Sequence, residues 1–129
     1  MITFIFIYSF NFNKYLQNID SHNINKKNKV VLFIDEFTRY LDVEVGKDAI
    51  ELLVALGYEV ELYFAESGRT FLSKGFLKQA QNLAIKNTKE LEKFANLGLP
   101  ILGLEPSAIL SFRDEYKRMT PDKEMAQKI

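Results

Sequence analysis

Three observations predict a three-layer, Rossmann-like α/β fold, ordered β-α-β-α-β-α around a small parallel sheet. The run Val30-Val31-Leu32-Phe33-Ile34 is apolar without interruption, as a strand covered on both faces must be. Each strand-like run is followed by a stretch whose apolar residues recur at helical spacing, and that alternation produces parallel strands joined by right-handed crossovers. At 129 residues the chain is long enough for one packed core and too short for two. A three-stranded sheet is narrow, so it is expected to lean on further structure that this chain does not contain.

The chain opens on Met1 to Phe12, an apolar and aromatic run with no charge before Lys14. It is shorter than the roughly twenty residues a spanning helix needs. It also lacks the basic start and small-residue cleavage site of a secretory signal. It reads as an edge strand or a buried helix segment. An exposed patch of Ile2, Phe4, Ile5, Phe6 and Ile7 would be adhesive, so this end either packs on a partner or is foreign to the domain. Asn18 to Asn28 is polar, Asn-rich and without period, which is linker composition. Residues 1–28 are therefore set apart as an apolar segment and linker, and the α/β domain is placed at 29–129.

After the first strand, Ala49, Leu52, Leu53 and Leu56 fall at helical spacing between Val45 and Leu56, with Gly57 where a helix C-cap belongs. Tyr58 to Phe64 alternates Glu59 and Glu61 with Val60 and Leu62, the pattern of an edge strand with one face partly wet. A long helix follows, capped by Ser73, with the core stripe Phe76, Ala80, Leu83, Ala84, Leu91 and Phe94; it ends at Asn96-Leu97-Gly98, with Pro100 beyond. Ile101 to Leu104 is a short buried strand. Pro106 suits the first turn of a third helix, to which Ile109, Leu110, Phe112 and Tyr116 give an apolar side. Asp122 to Ile129 looks like the start of another helix, cut off.

Composition removes several function classes. Lys plus Arg (17) balance Asp plus Glu (17), so no summed field gathers nucleic acid or an anionic membrane. Cysteine is absent, which excludes disulfides, thiolate zinc sites, cysteine-ligated iron–sulfur clusters and thiol nucleophiles. The single histidine, His22, lies in the polar linker and reads as a solvated residue. No metal site is expected from the protein's own ligands, no membrane span is predicted, and the chain is expected in the cytoplasm.

Loops leaving the carboxyl ends of parallel strands are where ligands bind in open α/β sheets. Three such ends project polar residues: Asp35 with Thr38 and Tyr40, Glu66 with Ser67 and Arg69, and Glu105 with Ser107. Asp35, Glu66 and Glu105 form a candidate carboxylate cluster, able to do acid/base work or bind a hard cation, because like charges raise one pKa and a cation relieves the repulsion. Against this, Arg69, Lys74 and Arg113 would neutralise the carboxylates and Glu105 would cap a helix. Ser67 lacks a base to activate it. Asp35-Glu36-Phe37-Thr38-Arg39 stands where a dinucleotide fingerprint would need glycines.

Four pieces carry a resemblance. They are Phe33-Ile34-Asp35-Glu36-Phe37-Thr38-Arg39-Tyr40; Gly57-Tyr58-Glu59-Val60; Ser67-Gly68-Arg69 with Leu72-Ser73-Lys74-Gly75-Phe76-Leu77; and Gly103-Leu104-Glu105-Pro106-Ser107-Ala108 with Phe112-Arg113-Asp114-Glu115-Tyr116. In order and spacing they resemble the cysteine-rich CCG domain of FAD-linked oxidoreductases of the D-lactate dehydrogenase and glycolate oxidase type and of heterodisulfide reductases. The resemblance spans residues 29–119. It implies motif positions at Glu66, Ser67, Gly68, Arg69, Ser73, Lys74, Gly75, Glu105, Pro106, Ser107, Ala108, Arg113 and Asp114.

In that family the loop carries Cys-Cys-Gly and the third strand leads into Glu-Pro-Ser-Cys, cysteines that serve iron–sulfur or thiol redox chemistry. Here the same places hold Glu66-Ser67-Gly68 and Ala108. The resemblance therefore implies the scaffold of the module without its redox ligands, a structural or subunit-contact role, and no cofactor in this chain. FAD and iron–sulfur clusters would be carried by flavin and ferredoxin-like modules of the same enzyme. A small carboxylate-lined enzyme or cation-binding domain is the alternative.

Overall fold

The computed structural model describes residues 10–20, 28–113 and 116–119. Among these residues the elements follow in the order α1 (Phe12–Asp20), β1 (Lys29–Ile34), α2 (Glu36–Tyr40), α3 (Val43–Ala55), β2 (Glu59–Phe64), α4 (Arg69–Ser73), α5 (Leu77–Asn96), β3 (Ile101–Gly103), α6 (Pro106–Arg113) and α7 (Tyr116–Met119). The strands form one parallel sheet in the order β2-β1-β3, in register Val31↔Glu61 on one side and Val31↔Ile101 on the other.

The uninterrupted apolar run makes β1 the centre of the sheet, and Val30 to Ile34 are all buried. Alternate side chains feed two cores. Val31 and Phe33 join Tyr63, Ala84, Leu91, Ala108, Phe112 and Tyr116 on the face covered by α5, α6 and α7. Val30, Leu32 and Ile34 join Val60, Ile50, Val54 and Phe12 on the face covered by α1 and α3. The predicted three-layer α/β class is thus the one observed. Burying each large side chain contributes about 1.5–3 kcal/mol of transfer free energy, and the face-crossing β1 residues tie the two cores together. No helix among the described residues is long and apolar enough to cross a membrane.

Several details depart from the sequence reading. The buried stripe of α3 is Gly46, Ile50 and Val54, whereas Leu52 and Leu56, expected in the core, are 61% and 50% exposed. A helix lying across a sheet presents only one narrow stripe to it, and here that stripe is set one step round from the leucines. Ser73 does not cap the long helix. It ends the separate short helix α4, and α5 begins after Gly75 with Phe76 at its N-cap and no side-chain cap bond. Phe76, expected in the core stripe, is 50% exposed. The short helix α2, absent from the expected order, forms because Asp35 caps it, its Oδ1 accepting from Thr38 N at 3.2 Å. In β3, expected to be buried, Leu102 is exposed.

The predicted end of α3 at Gly57 is present in full. Gly57 has φ +86°, its N–H donates to Val54 O at 2.9 Å, and Tyr58 N–H donates to Leu53 O at 3.1 Å. This double closure satisfies the last carbonyls and needs a residue that adopts positive φ. Residues 18–20, read as linker, belong to α1, which begins at Phe12, itself buried against Phe64 and the α3 face. The apolar residues 1–9, His22 and the tail Asp122 to Ile129 lie outside the described residues.

Candidate functional site

The loop between β2 and α4 leaves the sheet at Phe64 and turns through Ala65, Glu66, Ser67 and Gly68. Gly68 sets the turn with φ +83°, the left-handed conformation that favours glycine, while an added Cβ would make ordinary contact with Ala80 O at 3.5 Å. Ser67 is completely buried. Its N–H donates to Glu36 Oε2 at 2.9 Å and its hydroxyl to Glu36 Oε1 at 2.8 Å, while the hydroxyl oxygen accepts from Arg69 N at 3.1 Å. Glu36 is the first residue of α2, so the carboxyl end of the central strand holds the loop of its neighbour.

A second clamp comes from the opposite helices. Asn87 Nδ2 donates to Glu66 O at 2.8 Å and to Tyr116 Oη at 2.9 Å, and Tyr116 donates in turn to Ser67 O. On its other side Asn87 Oδ1 accepts from Tyr63 Oη at 2.9 Å, and the Tyr63 hydroxyl also lies 2.8 Å from Glu90 Oε2. Burial first, and then the bond to Glu90, push the Tyr63 phenol well above its ordinary pKa, so it stays neutral. Side chains from α2, α5 and α7 therefore hold two carbonyls of this short loop, Glu66 O and Ser67 O, and the Ser67 N–H, with Tyr63 of β2 supporting Asn87 from behind. A buried network in which each group has a partner specifies one conformation.

Asp35 is buried, one oxygen capping α2 and the other without a hydrogen-bond partner; burial raises its carboxyl above the usual range. Glu66 is exposed. Glu105 caps α6, its Oε2 accepting from Ala108 N at 2.8 Å and from the Ser107 hydroxyl, and Pro106 takes the first helical position. The structure thus engages Asp35 and Glu105 as caps of two different helices, and among the described residues no group of three or more His, Cys, Asp or Glu is placed to hold a metal ion. Ser73, Lys74 and Gly75 lie exposed at the end of α4, Arg113 is exposed on α6, and Asp114 lies outside the described residues.

Ala108 is buried in the core beneath α6 and offers no donor atom. Next to the loop, a cleft of about 140 Å³ is lined by Glu36, Glu66, Gly68, Thr70 and Phe71. Ser67 is sealed from it and already bonded, so it is no nucleophile. Sequence reasoning missed Glu36, Asn87, Tyr63 and Glu90. Asn87 and Thr88 interrupt the stripe Ala80, Ala84, Leu91 at helical spacing, and a polar residue on a buried stripe is the signal that marks such a network.

These features define a small parallel α/β module with a polar-clamped loop at the carboxyl edge of its sheet. No family model and no solved structure matches the chain. Among curated proteins it is 37% identical over 107 residues to D-2-hydroxyglutarate dehydrogenase of Escherichia coli, covering 81% of this chain and 10% of that protein. It is 34% identical over 112 residues to the D-2-hydroxyglutarate dehydrogenase of Haemophilus influenzae, covering 85% of this chain and 11% of that one. Against one of the polypeptides of the anaerobic glycerol-3-phosphate dehydrogenase of Escherichia coli it is 28% identical over 113 residues, 84% of this chain and 28% of that polypeptide. The chain spans about a tenth of the length of the D-2-hydroxyglutarate dehydrogenases it matches.

Proposed function

We propose that this chain is a cysteine-free counterpart of the CCG-like module near the C-terminus of a flavin-dependent 2-hydroxy-acid oxidoreductase, acting in the cytoplasm as a structural or subunit-contact part. The observation that carries this reading is the match to a tenth of the length of D-2-hydroxyglutarate dehydrogenases, in a chain whose loop is shaped by hydrogen bonds. The residues present do not fit an iron–sulfur cluster. Ser67 gives its hydroxyl to Glu36, Ala108 has no ligand atom, and hard carboxylate oxygens do not replace thiolates around iron and sulfide. Flavin and iron–sulfur chemistry belong, on this reading, to other modules of the same enzyme.

Co-expression with the flavoprotein encoded nearest to this chain tests the proposal. A stoichiometric complex that retains flavin is the expected outcome. Absence of a flavin or ferredoxin-like coding sequence nearby, together with no recovered complex, overturns it. Anaerobic incubation of the chain alone with iron and sulfide is expected to leave no visible charge-transfer absorbance, and a bound cluster would refute the loss of redox ligands.

A further inference from the structure

The two faces of the sheet are unequally covered. The connection from β1 to β2 places α3 over those two strands, and the connection from β2 to β3 returns on the opposite face with α5. Among the described residues, β3 is therefore left without a helix on the α3 side. Leu102, in register with Leu32, points to that side and is 36% exposed. Beside it lies an open trough of about 560 Å³ whose apolar lining includes Val30, Leu53, Tyr58, Leu99, Pro100 and Leu102. Lys29, the charged side chain of its lining, is 3.2 Å from Glu61.

Two further features continue this surface. Val31 N–H donates to Pro100 O, so in a parallel ladder Leu102 turns its backbone groups toward β1, and Ile101 and Gly103 turn theirs to the outer edge, which pairs with no other strand among the described residues. On α3, Val45, Leu52 and Leu56 form a second apolar stripe, separate from the buried one and largely exposed, with the exposed acids Glu44, Asp48 and Glu51 along it; Glu44 lies 3.4 Å from Lys47 and Glu51 accepts from Tyr15, so three acids stand there against one lysine. An apolar centre, an outer strand edge and an acidic margin together describe a protein interface.

We infer that the β3 edge and the outer stripe of α3 form the surface on which this module docks to the flavin-bearing part of the oxidoreductase, which would supply an apolar strand or helix with a basic margin. This inference rests on the proposed function: in the D-2-hydroxyglutarate dehydrogenases about nine-tenths of the polypeptide lies outside the matching segment. The acidic margin of α3 selects the charge of the partner, and the neutral trough selects its apolar centre.

The probe is the E. coli D-2-hydroxyglutarate dehydrogenase with its matching segment removed, added to the full 129-residue chain. Leu102→Lys and Leu52→Lys are both at exposed positions, and each is expected to weaken the complex at least tenfold; Lys86→Glu, on exposed α5 surface, is expected to change it less than twofold. Should the shortened dehydrogenase fail to fold, residues 10–119, which keep Phe12 of α1 in the core, are spliced into it in place of the matching segment, and Leu102→Lys is expected to lower the yield of flavin-loaded chimaera; an unchanged yield overturns this surface. A complex that forms but ignores both lysines overturns this surface and leaves the functional reading standing. Absence of binding to a folded shortened dehydrogenase overturns the docking surface, and the functional reading falls with it only if the co-expression test also yields no complex. Self-association of the chain that Leu102→Lys abolishes, with no binding to the dehydrogenase, would assign the surface to a second copy and overturn the partner named here.

Discussion

Glu36 accepts two hydrogen bonds from Ser67, one from its N–H at 2.9 Å and one from its hydroxyl at 2.8 Å, across thirty-one residues of sequence. Both donors lie on one residue and both acceptors on one carboxylate, so the loop after β2 is locked to the end of β1. Replacing the carboxylate by an amide turns an N–H₂ toward a donor. Glu36→Gln is expected to destabilise the fold by about 1–2 kcal/mol, with Glu36 half-buried and the bonds charge-assisted. A denaturant midpoint unchanged from the parent would contradict this.

Tyr116 and Asn87 act together on the same loop from the other side. Tyr116→Phe leaves Ser67 O and one Asn87 N–H without their partner, an expected loss of about 2–3 kcal/mol. Because the two residues share a hydrogen bond, a double-mutant cycle with Asn87→Ala is expected to give a coupling of about 1 kcal/mol or more. Strict additivity of the two losses would mean that the network is not a unit.

Gly46 is where α1 rests on α3. An added Cβ would lie 2.6 Å from Phe12 Cε1 and 3.0 Å from Thr38 Cγ2. Alanine gains about 1 kcal/mol of helix propensity over glycine, yet overpacking against a buried ring costs about 1–3 kcal/mol. Gly46→Ala is thus expected to lower the melting temperature, and Phe12→Leu in the same chain to recover part of the loss. A stabilised Gly46→Ala variant would show that α1 does not pack there.

Asp35 reports on acid stability. Its folded carboxyl is raised by burial, so the protonated form is the one the fold favours. Its contribution is most favourable below the ordinary carboxylate pKa and declines as pH rises through the raised value. Asp35→Asn keeps an oxygen for Thr38 N and removes the charge. The stability difference between variant and parent is expected to move in the variant's favour as pH rises through the mildly acidic range. A difference independent of pH would refute the assignment.

Tyr15 donates to Glu51, and this bond, together with the neighbouring charge, pushes its phenol up to about 12. The neutral phenol is favoured in the fold, so this contribution is complete below the ordinary value of 10.0 and disappears as pH rises through about 12. Difference titration by phenolate absorbance should show one tyrosine moving back toward its ordinary value in Glu51→Gln. An unchanged titration curve would dissociate the pair.

The class of fold and several of its boundaries are legible in the residues alone. The apolar run of β1, the alternation in β2 and the Gly57 and Gly98 helix ends are local features whose physics is complete within a few residues. The residues also place a loop between Phe64 and Phe76 at the carboxyl edge of the sheet, as topology requires, although α4 forms inside that stretch. Which side of α3 faces the sheet is set by packing, since Leu52 and Leu53 are equally apolar and the angle of the helix on the strands selects between them. The tertiary structure alone also showed that Asp35 and Glu105 cap different helices, and that Glu36, Asn87 and Tyr116 hold the loop. Those contacts join residues from twenty-one to forty-nine positions apart, and a hydrogen bond over such a distance leaves no periodicity in the sequence.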